Sequence, residues 1–141
     1  MLKNKLQLSV VSQEKKLLSQ EVDLVTLPTQ TGEITILPDH IPLLSQLQTG
    51  ELRYMTDGQE QSIVISQGIV DKGPDNTITV IVDSATHARD ISVQKAEQAI
   101  KQAHETMKQT VNQRELLLAE ASLRQAMWEI KVAQKTRKAR I

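Results

Sequence analysis

The chain has 141 residues, with 17 basic and 17 acidic side chains and a formal net charge of zero. Zero net charge argues against a nucleic-acid binder, and the absence of cysteine excludes a disulfide framework, a thiol nucleophile and a thiolate metal site. Phe is absent, so the core must consist mainly of Leu, Ile, Val and Ala. The N-terminal segment MLKNKLQLSVVSQ has no long apolar run and no cleavage site of small residues, which predicts a soluble chain without a targeting segment.

The first part of the chain alternates apolar and polar residues in short runs, the period-2 pattern of half-buried strands. The apolar positions are Leu6, Leu8 and Val10; Val22 and Leu24; Ile34 and Ile36; Leu52 and Tyr54; Ile63 and Ile65; and Ile78, Val80 and Val82. Turn signals separate the runs, with Asp57-Gly58 as a hairpin turn and Gly73-Pro74-Asp75-Asn76 as another. We therefore predict an antiparallel β-sandwich of roughly eight to ten strands in two packed sheets.

The segment from Thr31 to Leu52 contains several glycines and prolines, which respectively widen and restrict the backbone φ angles that the chain can adopt. Its glycines and prolines are Gly32, Pro38, Pro42 and Gly50. The glycines can supply the positive φ of tight turns, and each proline pushes the residue before it out of the helical region. We therefore predict a short strand followed by a rigid, exposed loop that carries Asp39 and His40. Charged side chains on a rigid loop indicate a recognition surface.

From about Asp90 onward the chain has no Gly or Pro, and its apolar residues recur every three or four positions. These seam residues are Val93, Ala96, Ile100, Ala103 and Met107, then Leu116, Ala119, Leu123, Ala126, Ile130 and Ala133. The register breaks near residues 110–113, where Asn112 followed by Glu115 can cap a second helix. The pattern predicts an antiparallel two-helix hairpin at the C-terminus.

The Ala-rich seam of this hairpin buries little area, so we expect its two helices to separate readily. Straightened into one helix, residues 91–138 would reach roughly 70 Å at about 1.5 Å per residue, which makes a long movable arm available. A hairpin that stays docked on the sandwich is the alternative, and the sequence leaves both open.

The two parts of the chain also differ in charge. Residues 1–88 contain 6 basic and 11 acidic residues, a net charge of −5, whereas residues 89–141 contain 11 basic and 6 acidic residues, a net charge of +5. We therefore expect two domains, residues 1–86 and residues 87–141, with different partners.

Several motifs together match one known family. They are GEITILPDHIPLL from Gly32 to Leu44, Gly50-Glu51-Leu52, Ser66-Gln67-Gly68 and Thr79-Val80-Ile81-Val82-Asp83, followed by the helical pair. Over essentially its whole length the chain resembles the epsilon subunit of F-type ATP synthase. The resemblance implies a ten-stranded β-sandwich followed by two helices. It also implies a non-catalytic rotor subunit of the central stalk, which needs no cofactor, binds the gamma shaft and touches the membrane c-ring.

The resemblance also implies a location. Because no transit segment is found, we expect a bacterial subunit, with a plastid-encoded subunit as the alternative. Such a subunit is peripheral, at the cytoplasmic face of the inner membrane, without inserting into the bilayer.

The resemblance assigns contact residues to the segment around the predicted loop. Glu33 and His40 match the loop residues that face the polar loops of the c-ring, and Leu37, Pro38 and Asp39 shape that loop. An acid and a histidine can form charge-assisted hydrogen bonds at a wet interface. A solvated loop without a partner is the simpler alternative.

Glu33 and His40 could also be interpreted as a general acid and base. The sequence disfavours this interpretation because it has no Gly-rich phosphate loop and no Gly-x-Ser-x-Gly motif. The three histidines also lie at separations that match no common metal motif. We therefore expect neither a catalytic site nor a metal site.

The second predicted helix ends in a basic run. Its members are Lys131, Lys135, Arg137, Lys138 and Arg140, and no acid follows Glu129. Such a run complements the helix dipole, and it can also meet an acidic surface. In the family that the chain resembles, basic residues of the C-terminal helices contact an acidic loop of the catalytic beta subunits and block wasteful ATP hydrolysis. By this resemblance we expect inhibitory contacts with the alpha/beta head at Arg124, Lys131 and Lys135.

Some bacterial members of the family bind ATP on the hairpin through an Ile/Leu-Asp-x-x-Arg-Ala motif. The corresponding segment here is Ile91-Ser92-Val93-Gln94-Lys95-Ala96, so Ser92 and Lys95 stand in place of the Asp and the Arg. Gln125 and Glu129 occupy positions where ATP-binding members have arginines. Because Lys95 lacks the planar fork of arginine and Glu129 would repel phosphate, we expect weak or absent ATP binding.

A β-sandwich adaptor protein whose basic helix binds nucleic acid or another acidic partner is the competing interpretation. The basic residues between Lys131 and Arg140 favour it. Zero net charge and the lack of aromatic stacking residues near this cluster disfavour nucleic acid as the partner.

Overall fold

The computed structural model describes residues 4–139, so Arg140 of the basic run lies outside the described residues. The chain divides into two compact units, Met1–Thr86 and His87–Ile141. The first unit consists of strands and the second of helices, which confirms the predicted fold class.

Ten strands occur within the described residues. They are β1 (Leu6–Val11), β2 (Lys16–Val22), β3 (Leu24–Thr29), β4 (Gly32–Ile36), β5 (Leu43–Leu47), β6 (Gly50–Thr56), β7 (Gln59–Ile65), β8 (Gly68–Lys72), β9 (Thr77–Val82) and β10 (Ala85–His87). A single 3₁₀ turn at Ala88–Asp90 leads into helix α1 (Val93–Gln109), and helix α2 (Gln113–Ala139) follows.

The strands form two layers, and the strand ladder passes from one layer to the other at the short pairing of β3 with β5. Hydrogen-bonded neighbours follow the order β10-β7-β6-β3-β5-β8-β9-β1-β2, and β4 pairs with β3. The junction between β3 and β5 is the pair Thr29 and Leu47. One layer therefore contains β3, β4, β6, β7 and β10, and the other contains β1, β2, β5, β8 and β9, the arrangement of a β-sandwich.

One pairing departs from the predicted antiparallel arrangement. Strands β1 and β9 run parallel, with Gln7 opposite Thr77 and Val11 opposite Ile81. Parallel neighbours need a long connection, and here the seven strands β2 to β8 lie between them in the chain. Local turn signals describe only sequential neighbours, so they could not reveal this pair.

Inward-facing aliphatic side chains fill the space between the layers. They are Leu6, Leu8, Val10, Val22, Val25, Leu27, Ile36, Leu47, Leu52, Ile63, Ile65, Val70, Ile78, Val80 and Val82, joined by Tyr54. None is more than 3% exposed. Full burial of one such side chain stabilises a fold by about 1.5–3 kcal/mol. The sandwich therefore has the large aliphatic core that the composition predicts.

The turns of the sandwich follow the sequence signals with one exception. Asp57 and Gly58 have φ of 52° and 76°, the positive pair that a two-residue hairpin turn between β6 and β7 requires. Gly32, at the start of β4, has φ of 122°. Gly50, which we expected to supply a turn, is instead the first residue of β6 and pairs with Ile65, because the ladder with β7 extends to this position.

Each helix of the second unit begins at a capping side chain. Ser92 Oγ accepts a hydrogen bond from the backbone N–H of Lys95 at 3.2 Å and caps α1. Asn112 Oδ1 accepts from the backbone N–H groups of Arg114 at 2.9 Å and Glu115 at 3.4 Å, which is the predicted cap of α2. These contacts satisfy amides that a helix start leaves without partners.

The contact between α1 and α2 follows the predicted seam. Its buried members are Ala96, Ala103, Ala119, Ala126 and Ala133, and the larger seam side chains are only half-buried. The small side chains leave an open groove of about 360 Å³ between the helices, lined in part by Ala103 and Ala119. The hairpin is therefore held by much less aliphatic packing than the sandwich.

Candidate functional site

The β4–β5 loop, residues 37–42, brings together Leu37, Pro38, Asp39 and His40. The backbone N–H of His40 donates to the carbonyl of Leu37 at 3.2 Å, which closes a four-residue turn. Pro38 fixes φ at the first central position, and Asp39 has φ of 68° at the second, the combination of a type II turn. Gly or Asn usually occupies this second position, so contacts of the Asp39 side chain must stabilise its left-handed backbone.

Two asparagines from other parts of the sandwich supply these contacts, and together with Asp39 they form the Asp39 clamp. Asn4 Nδ2 donates to both carboxylate oxygens of Asp39, at 3.1 and 3.0 Å. Asn76 Nδ2 donates to Asp39 Oδ1 at 3.1 Å, and the backbone N–H of Asp39 donates to Asn76 Oδ1 at 2.7 Å. The loop is thereby tied to the residues that precede β1 and β9.

The clamp also sets the charge state of Asp39. Hydrogen bonds from Asn4 and then from Asn76 hold the pKa of the Asp39 carboxyl below its ordinary value of 3.8, and the positive charge of Lys72 adds to this effect. The small loss of hydration at this exposed carboxyl acts in the opposite direction but is outweighed. The clamp therefore contains an ionised carboxylate at neutral pH.

The same loop exposes apolar side chains. Leu37, Ile41 and Leu44, the last at the second position of β5, are 53%, 74% and 72% exposed. His40 Nδ1 donates to the carbonyl of Ile41 at 2.7 Å, which fixes the ring on the loop. An apolar patch on a fixed loop, beside polar groups, is typical of an interaction surface.

Glu33, which we expected in this loop, lies outside it. It is the second residue of β4 and pairs with Pro28 of β3, because the antiparallel ladder continues up to the turn before Gly32. At about 3.3 Å per residue, the Cα atoms of Glu33 and Ile36 are roughly 10 Å apart, so Glu33 lies at the far end of β4 from the loop.

The Glu33 carboxylate is engaged by Arg53 of β6. Arg53 Nη1 donates to Glu33 Oε2 at 3.0 Å and Nη2 donates to Oε1 at 3.3 Å, a bidentate pair. The hydrogen bond with Glu33 is the main cause that raises the pKa of Arg53, against an opposing effect of burial. Glu51 and Glu60 also lie within 3.5 and 3.9 Å of the guanidinium. The carboxylate of Glu33 is therefore one half of an ion pair with Arg53, not a lone exposed charge.

The three basic residues expected to act in inhibition share one exposed face of α2. At about 100° per residue, Arg124, Lys131, Lys135 and the intervening Trp128 lie within about 60° of one another around the helix axis. The ammonium of Lys131 lies 4.6 Å from the centroid of the Trp128 ring, a cation–π contact. We call these four residues the basic face of α2.

Some of the residues at the positions compared with an ATP site have structural roles in this chain. Ile91 is 9% exposed and its backbone N–H donates to the carbonyl of Ala88 at 3.3 Å. Ser92 caps α1, and Lys95 lies in the first turn, where a cation opposes the helix dipole. Gln125 and Glu129 are half-buried on α2. The cap formed by Ser92 is a structural role that the sequence interpretation did not assign.

Neither a metal-binding cluster nor a membrane-spanning helix occurs in the part of the chain that the structure describes. No group of three or more His, Cys, Asp or Glu side chains is placed to hold a metal ion within residues 4–139. Neither described helix combines the length and apolar character needed to cross a membrane.

The sequence interpretation missed the residues that hold the loop. Asn4 and Asn76 were not expected to contact Asp39, because the contacts join positions 35 and 37 residues apart. The position of Lys72 could have been predicted, because Lys72 lies two residues after the buried Val70 in β8 and so shares its face of the strand. The alternation of a strand therefore predicts that Lys72 faces the core.

Sequence comparisons place these features in a known family. Residues 5–88 match the family model described as the beta-sandwich domain of the ATP synthase Delta/Epsilon chain. The ATP synthase epsilon chain of Dehalococcoides mccartyi is 42% identical over 135 residues, which cover 95% of this chain and 96% of that one. The ATP synthase epsilon chain of Syntrophobacter fumaroxidans is 39% identical over 132 residues, which cover 94% and 98%.

Solved structures share the fold. A chain in the cryo-EM structure of the Euglena gracilis mitochondrial ATP synthase, OSCP/F1/c-ring, gives a TM-score of 0.74 at 21% identity and covers 91% of this chain and 81% of that one. A chain in the central stalk/c-ring structure of the Tetrahymena thermophila mitochondrial ATP synthase gives a TM-score of 0.61 at 15% identity, with coverage of 94% and 99%. With the family model over residues 5–88 and the relatives over nearly the whole length, the chain belongs to the ATP synthase epsilon chain family.

Proposed function

We propose that the chain is a central-stalk rotor subunit that couples rotation of an ion-driven c-ring to the gamma shaft and the catalytic head. As a member of the epsilon chain family it is a non-catalytic subunit of ATP synthase. The solved chains that share its fold come from assemblies described as OSCP/F1/c-ring and as central stalk/c-ring. These descriptions support gamma and the c-ring as partners of the sandwich.

The observation that carries this proposal is the β4–β5 loop. It exposes Leu37, Ile41 and Leu44 while the Asp39 clamp fixes its backbone. A loop that is already ordered loses little conformational entropy on binding, and its apolar side chains supply the driving force. His40 adds a ring nitrogen for a polar partner. We assign the c-ring contact to this loop, with the Glu33–Arg53 ion pair as a second polar contact.

We assign inhibition of wasteful ATP hydrolysis to the hairpin. Its support is the Ala-rich seam between α1 and α2, which resists separation weakly, and the shared position of Arg124, Lys131 and Lys135 on one exposed face. An acidic surface on the beta subunits would complement this face. Opening of the hairpin would carry the basic face to the catalytic head.

We place the subunit at the cytoplasmic face of a bacterial inner membrane. The relatives named above come from bacteria. Contact with the c-ring would hold the chain at the membrane surface as a peripheral subunit.

Binding measurements with the full chain test the loop assignment. The double variant Ile41→Ser/Leu44→Ser removes apolar contact area from the loop, while the control Val111→Ser/Leu117→Ser changes exposed apolar residues of the hairpin. Losing two buried aliphatic side chains from an interface should weaken binding at least about tenfold. We expect the loop variant to bind purified c-ring at least tenfold more weakly and still to co-elute with gamma, whereas the control binds both normally. Equal c-ring affinity for the loop variant and the unaltered chain would contradict the assignment.

A further inference from the structure

Lys72 is a buried cation at the end of β8. It is 1% exposed and stands opposite Ile78 of β9 and Leu43 of β5. Val70, two positions earlier on the same face of β8, belongs to the core. The aliphatic stem of Lys72 therefore extends the core, and its ammonium group reaches the edge of the sandwich where the β8–β9 turn begins.

The contacts of the Lys72 ammonium are backbone carbonyls of that turn. Nζ donates to the carbonyl of Gly73 at 3.1 Å and to the carbonyl of Asp75 at 2.9 Å. Across the described residues 4–139, no carboxylate lies within ion-pair distance of it, and its charge acts on the Asp39 carboxylate only from farther away. A buried ammonium is costly unless its N–H groups are hydrogen-bonded, so the turn must keep these carbonyls directed at Nζ. Lys72 thereby restricts the conformations open to residues 73–76.

The last residue of this turn is Asn76, the central member of the Asp39 clamp. Its own carbonyl accepts from the backbone N–H of Gln7 at 2.7 Å, which fixes the turn to β1. Its side chain both accepts from and donates to Asp39. A shift in the turn would therefore move both groups of Asn76 that hold the left-handed backbone of Asp39.

We propose that Lys72 is a positioning residue for the β4–β5 loop, acting through the turn carbonyls and Asn76 on the conformation of Asp39. Lys72 touches no partner itself. It keeps the loop in the conformation that presents Leu37 and Ile41. The consequence for c-ring binding rests on the function proposed above, whereas the effect on the loop does not.

Amide hydrogen exchange in the full chain tests the effect on the loop. Lys72→Met keeps much of the buried volume and removes the donor, and Lys72→Gln keeps an N–H donor without the charge. Lys16→Met, at the exposed start of β2, is the matched control. We expect the amides of Asp39 and His40 to exchange at least tenfold faster in Lys72→Met, to an intermediate extent in Lys72→Gln, and normally in Lys16→Met. Unchanged exchange of both amides in Lys72→Met would overturn the proposal.

Asn76→Ala keeps the inference testable if the Lys72 variants do not fold. This change leaves Lys72 in place and removes only the link to Asp39. We expect faster exchange at Asp39 and His40, while the amide of Gly73, which donates to the carbonyl of Thr77 at 3.1 Å, stays protected. Unchanged exchange of the Asp39 and His40 amides in this variant would show that Asn76 does not hold the loop, and it would overturn the proposal.

The c-ring affinity of the same variants separates the two proposals. If both hold, Lys72→Met and Asn76→Ala weaken c-ring binding to a similar degree and the double variant is little worse than either. If the loop amides exchange faster but c-ring affinity does not change, the positioning role stands and the c-ring contact of the loop is wrong.

Discussion

The sandwich and the hairpin of this chain are stabilised by different kinds of side chain. The sandwich encloses Leu, Ile and Val side chains that are almost fully buried, whereas the buried residues of the helix seam are mainly alanines. An alanine buries far less apolar area than a leucine and contributes correspondingly less. One chain therefore combines a part with a large aliphatic core and a part whose two helices are held together by little buried apolar area.

The charges follow the same division. The sandwich portion is acidic and the hairpin portion is basic, with net charges of −5 and +5 over residues 1–88 and 89–141. Under the proposed function, the opposite charges would favour different partner surfaces for the two parts. Four experiments test whether the two parts differ in these ways.

A core truncation in the sandwich should cost much more stability than a seam change in the hairpin. Leu52→Ala, at a position with 0% exposure, should lower the free energy of unfolding of the sandwich by about 2–5 kcal/mol. Ala126→Gly, at a position with 2% exposure in α2, should cost only about 1 kcal/mol, chiefly through helix propensity. Urea unfolding can follow the two parts separately, with Tyr54 reporting on the sandwich and Trp128 on the hairpin. Similar losses in the two variants would contradict the comparison.

Reversing the charge of the basic face should weaken inhibition of ATP hydrolysis. Exposed ion pairs contribute about 0.2–1 kcal/mol each, and reversal adds repulsion, so Arg124→Glu/Lys131→Glu/Lys135→Glu should raise the half-inhibitory concentration at least about tenfold. The matched control is Lys101→Glu/Lys108→Glu/Arg114→Glu, which makes the same change of charge at other exposed positions of the hairpin. Unchanged inhibition by the first triple variant, or an equal loss in the control, would count against the assignment.

The Asp39 clamp should weaken in acid. The hydrogen bonds from Asn4 and Asn76 lower the pKa of the folded Asp39 carboxyl below 3.8. Its ionised form therefore stabilises the folded loop above the unfolded-state pKa, and this contribution is lost as the pH falls through the folded-state pKa. A carboxyl NMR titration should give an Asp39 midpoint below 3.8, and Asn76→Ala should move it upward. A midpoint at or above 3.8 in the unaltered chain would show that the clamp is absent in solution.

The smallest expected effect is the response of the hairpin to ATP. Lys95 offers phosphate a single point charge and Glu129 opposes it, so micromolar ATP should leave the fluorescence of Trp128 unchanged. Trp128 is adjacent to Glu129 in position along α2, which makes it a sensitive reporter. Glu129→Gln removes the repulsive charge and serves as the comparison. A saturable change at micromolar ATP in the unaltered chain would prove the expectation wrong.

Local patterns predicted the features that depend on local physics. Period-2 alternation identified the core strands such as β1 and β9, the Asp57-Gly58 pair identified a hairpin turn, and Asn112 identified the start of α2. Each of these depends on residues within a few positions of one another, so the sequence contains the whole signal.

Features that join distant parts of the chain could not be predicted in this way. The parallel pair of β1 and β9, the Asp39 clamp and the ion pair of Glu33 with Arg53 all depend on which strands become neighbours in the sandwich. Motif resemblance pointed to the loop residues and grouped Glu33 with them as a residue that faces the c-ring. The backbone ladder of β4 separates them in space.

Inhibition of ATP hydrolysis by two versions of the chain tests the proposed division of roles between the sandwich and the hairpin. The cognate catalytic complex, stripped of this subunit, would be titrated with the full chain and with a chain that ends at Ala88, while co-elution reports binding to gamma. If the sandwich is the coupling part and the hairpin the inhibitory arm, both chains co-elute with gamma and only the full chain slows hydrolysis. Equal inhibition by the shorter chain, or no inhibition by either chain despite binding, would contradict this division of roles.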